Sequence, residues 1–336
     1  MKAAVIQEHG GPGSIAIDNG FPDPVPEAGD VVIRVRATSL NYHDLFTRNG
    51  MPGIKVPMPA IMGLDFSGEI VELGDQVEDW KVGDRVLVDP LDRQGFSGLI
   101  GEMCHGGLAE YCRVPAHHLL SLPDSVSHEA ASCLPVAYGT ALRMMYTVGD
   151  VQAGDKVLIL GASGGVGTCC VQLAKNRGCE VIACASSQAK LDRLDEIGAD
   201  HLLNYVEEDF VKWVYRNFNK PHRRKFEDGM DVVVNFTGGD TWVPSLKVLH
   251  RGGKVLTCGA TAGYDPTEDI RYIWTFELKV LGSNGWMRED LHKLLQMLDE
   301  GSLLPVIDKT LPLEEVNEAF RLLEEREVFG KVVLTP

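Results

Sequence analysis

The chain is short of several things, and each absence narrows what it does. It has no apolar run near the roughly 18 residues that a membrane-spanning helix needs. Its opening segment, Met1-Lys2-Ala3-Ala4-Val5-Ile6-Gln7-Glu8-His9, lacks the long apolar stretch of a signal peptide. Both absences predict a cytoplasmic protein with no membrane partner. Positive charge is scarce: 32 Lys and Arg against 48 Asp and Glu leave a formal net charge of −16. Such a surface repels phosphate backbones, so no nucleic-acid partner is expected. One basic stretch, Arg216 to Lys225 with Lys220, Arg223 and Arg224, runs against that trend and reads as a solvated helix end or loop. Cysteine pairing is missing as well. None of the eight cysteines is spaced C-x-x-C, and the adjacent Cys169 and Cys170 should point to different faces of a helix. They read as reduced thiols and mostly as small buried hydrophobes, not as a disulfide framework. Internal repeats and low-complexity tracts are also lacking.

What is present fits two domains, because 336 residues exceed one compact core. The first 120 or so residues are β-rich. Val31–Arg36 alternates apolar and charged residues, and Phe66–Gly74 and Arg85–Val88 are further strands. Proline and glycine crowd Gly10–Gly29 and Met51–Pro59, which read as loops able to carry a substrate site. After Pro123 the pattern changes. Strand-like runs at Lys156–Leu160, Glu180–Ala185, Asp231–Asn235, Lys254–Cys258 and Lys279–Leu281 are interleaved with helical stretches such as Val166–Arg177 and Ala189–Ile197. Continuous apolar strands alternating with helices predict a parallel sheet covered on both faces, an α/β domain. The tail holds helices Leu291–Leu298 and Leu313–Glu325 and a last strand, Lys331–Leu334.

Val157–Leu160 runs into Gly161-Ala162-Ser163-Gly164-Gly165-Val166-Gly167 and then into an amphipathic helix. This strand–glycine loop–helix context is what a dinucleotide-binding unit requires. Gly164 lets the backbone approach a pyrophosphate, Gly167 lets the helix pack on the sheet, and the helix N-terminus offers unpaired N–H groups to phosphates. Ala162 departs from the usual G-x-G-x-x-G spacing. About 20 residues on, where an enzyme using NAD places an acid for the ribose hydroxyls, the chain has Cys184-Ala185-Ser186-Ser187. No carboxylate stands there to repel a 2′-phosphate; Ser186 can donate a hydrogen bond, and Lys190 and Arg193 lie on the next helix. NADPH is therefore expected over NADH.

These motifs, with Gly63-Leu64-Asp65-Phe66-Ser67-Gly68-Glu69-Ile70, Gly106–Tyr111, Asn204-Tyr205, Asp231–Asn235 and Phe329–Leu334, give nearly the whole chain a resemblance to the medium-chain dehydrogenase/reductase superfamily. The resemblance implies a GroES-like β-rich catalytic domain over 1–122 and 287–336, and a doubly wound parallel-sheet (Rossmann) cofactor domain over 123–286. It also raises the metal question. The zinc branch of the superfamily takes its ligands where this chain has Asn41, Leu64 and Val136, and zinc catalysis wants three N or S protein ligands there. The structural zinc of that branch uses four cysteines in a lobe; Asp89 to Tyr111 holds only Cys104, with His105 beside it and Cys112 just beyond. No metal is expected at either place.

The zinc-free branch resembles the segment Asn41-Tyr42-His43-Asp44 closely and reduces activated C=C bonds in quinones and enones. The resemblance implies Asn41 as a hydrogen-bond donor to the substrate oxygen; His43, whose near-neutral pKa suits a proton relay, reads either as that relay or as a polar, structural histidine. Asp44, Asp65 and Thr140 complete the candidate catalytic set, Asp65 either orienting neighbours or taking part in the chemistry, and Thr140 packing on the nicotinamide. Cofactor contacts are expected from Tyr42, Gly161 to Gly167, Ser186, Ser187, Lys190, Tyr205, Phe236, Thr237, Gly259, Ala260, Thr261, Ser283 and Asn284. Trp274, Phe276 and Trp286 read as core or interface aromatics. Three readings stand together: a zinc-independent NADPH-dependent reductase of a quinone- or enone-type small molecule, an alcohol or aldehyde dehydrogenase, and a nucleotide-binding protein with little activity. A homodimer, or a tetramer, is the expected assembly.

Overall fold

Strand Asp30–Ser39 organises the N-terminal part of the chain. Its side chains alternate, Val31, Ile33 and Val35 buried against Arg34 and Arg36 exposed, as a half-covered strand requires. One edge pairs antiparallel with Asp65–Leu73 and the other with Tyr111–Pro115. Arg85–Val88 and Leu119–Ser121 extend the sheet beyond Asp65–Leu73. The last strand, Lys331–Thr335, closes against Thr38 and Ser39 and carries Ile307–Pro312 in parallel. A small sheet of Ile15–Asp18, Ala3–Ile6 and Ala60–Ile61 packs its apolar side with Phe320, Val316 and Leu334. The computed structural model describes residues 1–95 and 98–336. They form two compact units, Met1–Ala137 with Leu291–Pro336 and Tyr138–Asp290.

The second unit is built on six parallel strands in the spatial order His201–Asn204, Glu180–Ala185, Lys156–Ile159, Met230–Val234, Leu249–Thr257, Lys279–Gly282. Helices Gly165–Asn176, Gln188–Glu196 and Phe210–Phe218 connect successive strands. Strand order reverses between Lys156–Ile159 and Met230–Val234, so their carboxyl ends open a crevice where a ligand binds in such sheets. The loops at both ends, Gly161–Gly164 and Phe236–Gly238, therefore flank one crevice. Together the two units are the GroES-like and doubly wound architectures that the motifs predict.

Several local expectations change. The Gly10–Gly29 loop contains the strand Ile15–Asp18, and a helix, Tyr42–Asn49, grows from the Asn41 segment. Leu313–Glu325 divides into a 3₁₀ turn, Leu313–Glu315, and helix Val316–Glu324. Cys169 and Cys170 are both fully buried, as small hydrophobes are. Of the aromatics read as core or interface residues, Trp274 is 68% exposed whereas Trp286 is buried. The basic stretch behaves as a solvated end, with Arg216 paired to Glu208 and Arg223 and Arg224 exposed. Among the described residues no helix is long and apolar enough to cross a membrane.

Candidate active site

Asn41 ends the approach from strand Asp30–Ser39 and caps helix Tyr42–Asn49. Its backbone N–H donates to Asp44 Oδ2 at 2.8 Å, and the Asp44 N–H donates back to the Asn41 carbonyl at 3.0 Å. That exchange fixes the helix start. It also holds the Asn41 side chain in the interior, 6% exposed. There Nδ2 donates to Asp65 Oδ2 at 2.8 Å, and Oδ1 accepts from the Lys331 ammonium at 2.5 Å. Lys331 is buried too; it donates to the Leu40 carbonyl at 2.8 Å and lies 3.7 Å from Asp65 Oδ2. Asp65 also accepts the Val136 N–H at 3.0 Å. A carboxylate, an ammonium and an amide are thus locked into one buried network, with one amide N–H of Asn41 beyond it. Burial drives the Asp65 carboxyl up to about 7 against the opposing pull of Lys331 and Asn41. Burial also raises Asp44, whose Oδ1 has no hydrogen-bond partner among the described residues.

His43 stands on the first turn of the same helix. Its Nε2 lies 2.5 Å from Glu102 Oε2; the imidazole is 26% exposed and the carboxylate 6%. Burial works against the charged ring. The Glu102 hydrogen bond and the charges of Glu102, Asp44 and Asp65 outweigh it, so His43 holds its proton above the usual histidine range. A buried carboxylate on one nitrogen also orients the ring, as the third member of acid–base constellations does. Glu102 has no sequence motif and was not among the expected residues. Tyr42 is half-buried beside Phe46, with ring centroids 6.3 Å apart.

In the second unit the glycine loop makes the cradle that its spacing implies. Gly161 takes φ +67, a conformation that favours glycine, and a side chain on Gly167 would sit 2.3 Å from the Gly161 carbonyl oxygen. The loop turns on Gly164 N–H to Gly161 O at 3.2 Å and on Ala162 N–H to Cys184 O at 3.2 Å. Helix Gly165–Asn176 starts with no side chain capping it, leaving its first N–H groups for an anion. Ser163, Gly165 and Val166 are half-buried around it. Ser186 and Ser187 follow strand Glu180–Ala185, and Ser187 begins helix Gln188–Glu196 with Lys190 on its first turn. Tyr205 joins this edge through its N–H to the Ala185 carbonyl at 3.1 Å.

Across the crevice, buried Asn235 shapes the second loop. Its Oδ1 accepts from the N–H groups of Thr237 and Gly238 at 3.0 and 2.9 Å, and Nδ2 donates to Ser245 Oγ at 2.9 Å. Phe236 is thereby set over Gly161. Beside it a cavity of about 450 Å³ is lined by Gly259, Ala260, Ser283, Asn284, Trp242 and Tyr264. Ser283 Oγ is buried there with no hydrogen-bond partner among the described residues. An orphaned hydroxyl on a cavity wall fits a polar ligand group such as a nicotinamide carboxamide. Thr261 is exposed on the same loop, and Thr140 is buried at the start of the turn Thr140–Leu142.

The structure thus gathers Asn41, His43, Asp44 and Asp65 in one polar cluster and lines one cavity of the second unit with Gly259, Ala260, Ser283 and Asn284, while the glycine loop and Ser186, Ser187, Lys190 and Tyr205 follow the carboxyl ends of the strands Lys156–Ile159, Glu180–Ala185 and His201–Asn204. Lys331 and Glu102 are the additions. Lys331 carried a visible signal, a lone cation in the strand Lys331-Val332-Val333-Leu334; Glu102 carried none.

Comparison with known proteins agrees with this architecture. Residues 27–124 match the alcohol dehydrogenase GroES-like domain and residues 165–300 the zinc-binding dehydrogenase domain. The chain is 30% identical to the acryloyl-coenzyme A reductase of Sulfurisphaera tokodaii, with 100% of each chain covered. Among solved structures it is similar to an NAD-dependent alcohol dehydrogenase, at 35% identity, TM-score 0.91 and 100% coverage of both chains. It is also similar to a 2-octenoyl-CoA carboxylase reductase in complex with NADP and 2-octenoyl-CoA, at 30% identity and TM-score 0.84, covering 96% of this chain and 82% of that one. Sequence motifs, both domains and these relatives converge: the chain belongs to the medium-chain dehydrogenase/reductase superfamily and is an NAD(P)H-dependent oxidoreductase.

Proposed function

We propose that the protein is a zinc-independent, NADPH-dependent reductase of a carbon–carbon double bond conjugated to a carbonyl, in an enone, a quinone or an unsaturated acyl thioester. The observation that carries this reading is the buried network at the positions of the zinc ligands. Leu64 is fully buried and apolar, and Val136 offers only a backbone N–H, which Asp65 accepts. The Asn41 amide is held between Asp65 and the Lys331 ammonium, whose charge opposes a cation at the same place. These residues do not fit a catalytic zinc. Reduction of a conjugated double bond does not need one, because negative charge gathers on the carbonyl oxygen and hydrogen bonds can hold it. The acyl thioester names of two relatives support the same substrate class.

When bound, the reduced nicotinamide supplies a hydride. The second Asn41 N–H, backed by the Lys331 charge, holds the substrate oxygen. His43, kept protonated by Glu102, delivers the proton. Ser186, Ser187 and Lys190 receive the 2′-phosphate. A homodimer forms through the edge strand Lys279–Gly282, which pairs on one side only among the described residues and exposes Val280.

NADPH oxidation against quinones, enones, unsaturated acyl thioesters and aldehydes, with and without a chelator, tests the reading. Turnover of the conjugated substrates unchanged by the chelator is the expected result. Turnover of aldehydes alone overturns it, and NADPH binding with no turnover across the panel favours a nucleotide-binding protein. Val280→Lys should leave a monomer in analytical ultracentrifugation.

A further inference from the structure

We propose that Asp92, His117 and His118 bind one divalent transition-metal ion of the zinc class, at a site separate from the Asn41–Asp65–Lys331 network. Among the described residues this is the one place where three such side chains converge, their ligand atoms all within 4.8 Å of one another. None of the three is a cysteine, so this is not the four-thiol site that the lobe of zinc-branch relatives suggests.

The parts are those of a built site. The Asp92 carboxylate is fixed by its own turn, with Oδ1 accepting the N–H groups of Gln94 at 3.0 Å and Gly95 at 2.8 Å. His117 Nε2 lies 3.6 Å from that same oxygen. A tetrahedral zinc with bonds of about 2.0–2.1 Å spaces its ligand atoms by roughly 3.3–3.4 Å, so this pair already sits near one edge of the polyhedron. The His117 and His118 rings are 4.4 Å apart between centroids. His118 is 3% exposed, and its Nδ1 lies 2.6 Å from the Asp89 carbonyl oxygen. That contact places the proton on Nδ1 and leaves Nε2 as the lone pair. A backbone carbonyl fixing the tautomer and ring in this way is the usual outer partner of a metal-ligating histidine.

His117 is 34% exposed, so a water can complete the coordination from solvent. Two imidazoles and one carboxylate suit zinc, cobalt or nickel better than calcium or magnesium. The ion would tie the Asp92 turn to the turn Ala116–His118, which joins strands Tyr111–Pro115 and Leu119–Ser121. Its role is to staple this lobe.

The full chain, without an oligohistidine tag and stripped by a chelator, is titrated with cobalt and then zinc. One equivalent of cobalt should bind with visible d–d absorption, zinc should displace it, and the melting temperature should rise. His117→Ala, whose side chain is partly exposed, and Asp92→Asn should each lose that equivalent while keeping wild-type far-UV circular dichroism. Absence of binding by the wild type overturns the proposal, as does an equivalent retained in both variants.

Discussion

Replacing Lys331 with Met should destabilise the protein by an amount that grows with pH. Two acceptors, the Leu40 carbonyl and Asn41 Oδ1, lose their donor in a buried site. Each unsatisfied group costs about 1–3 kcal/mol. The charge is the second part. In the wild type the Asp65 carboxyl lies at about 7, above its ordinary 3.8. The folded state therefore holds a proton that the unfolded chain has released, and stability falls as pH rises between those two values. Removing Lys331 removes the largest influence that lowers Asp65, so its folded value climbs further and the window extends above pH 7. There the variant should lose about 1.4 kcal/mol per pH unit relative to the wild type, or roughly 2–3 kcal/mol more at pH 9 than at pH 7. Urea unfolding followed by circular dichroism at pH 6, 7, 8 and 9 measures the difference, in which other titrating groups cancel. The double variant Lys331→Met with Asp65→Asn should lose the pH-dependent part and keep the rest. A cost that is the same at every pH would refute the coupling of ammonium and carboxylate.

Gly167→Ala sets a methyl 2.3 Å from the Gly161 carbonyl, so the helix must retreat from the loop; fluorescence titration should show markedly weaker NADPH binding, with a loss of about 1–3 kcal/mol of stability. With protonated His43 as donor, turnover should fall as pH rises through its raised pKa. Glu102→Gln should move that limb to lower pH, and His43→Gln should abolish it; an unmoved profile in both would exclude the donor role. Lys190→Ala should raise KM for NADPH by about tenfold and spare NADH, and equal effects on both nucleotides would contradict the 2′-phosphate assignment.

Much of this site was legible because its residues lie in local motifs. The cofactor unit is a strand, a glycine turn and a helix in direct succession, and each step has its own composition. Asn41, Leu64 and Val136 also fall within short recognisable stretches, and the proposal of a zinc-free site rests on them. Glu102 could not, because its meeting with His43 closes a separation of 59 residues through a lobe with no motif of its own. The pairing of Asp92 with His117 is hidden in the same way. The division into units falls after Ala137 and before Leu291, where the sequence placed it at 122/123 and 286/287. Composition changes at Pro123, but it does not record which side of the border a helix packs on.

Lys331 shows what kind of signal remains in a sequence when motif matching ends. Strand Lys331–Thr335 is buried over its first four residues, and a lysine in such a run needs partners for a charge that water no longer holds. Inside the first unit those partners must be a carboxylate and uncommitted acceptors at the end of a neighbouring strand. Lys331–Thr335 pairs with the carboxyl end of Asp30–Ser39, and the residues just past that end are Leu40 and Asn41. Asp65 begins the strand on the other side of Asp30–Ser39, opposite Ser39. Topology alone therefore brings the ammonium to Asn41 and Asp65, and with it a fixed positive charge at the positions where zinc-branch relatives hold their metal. On the proposed function, the charge that stabilises a developing oxyanion comes from the last strand of the chain.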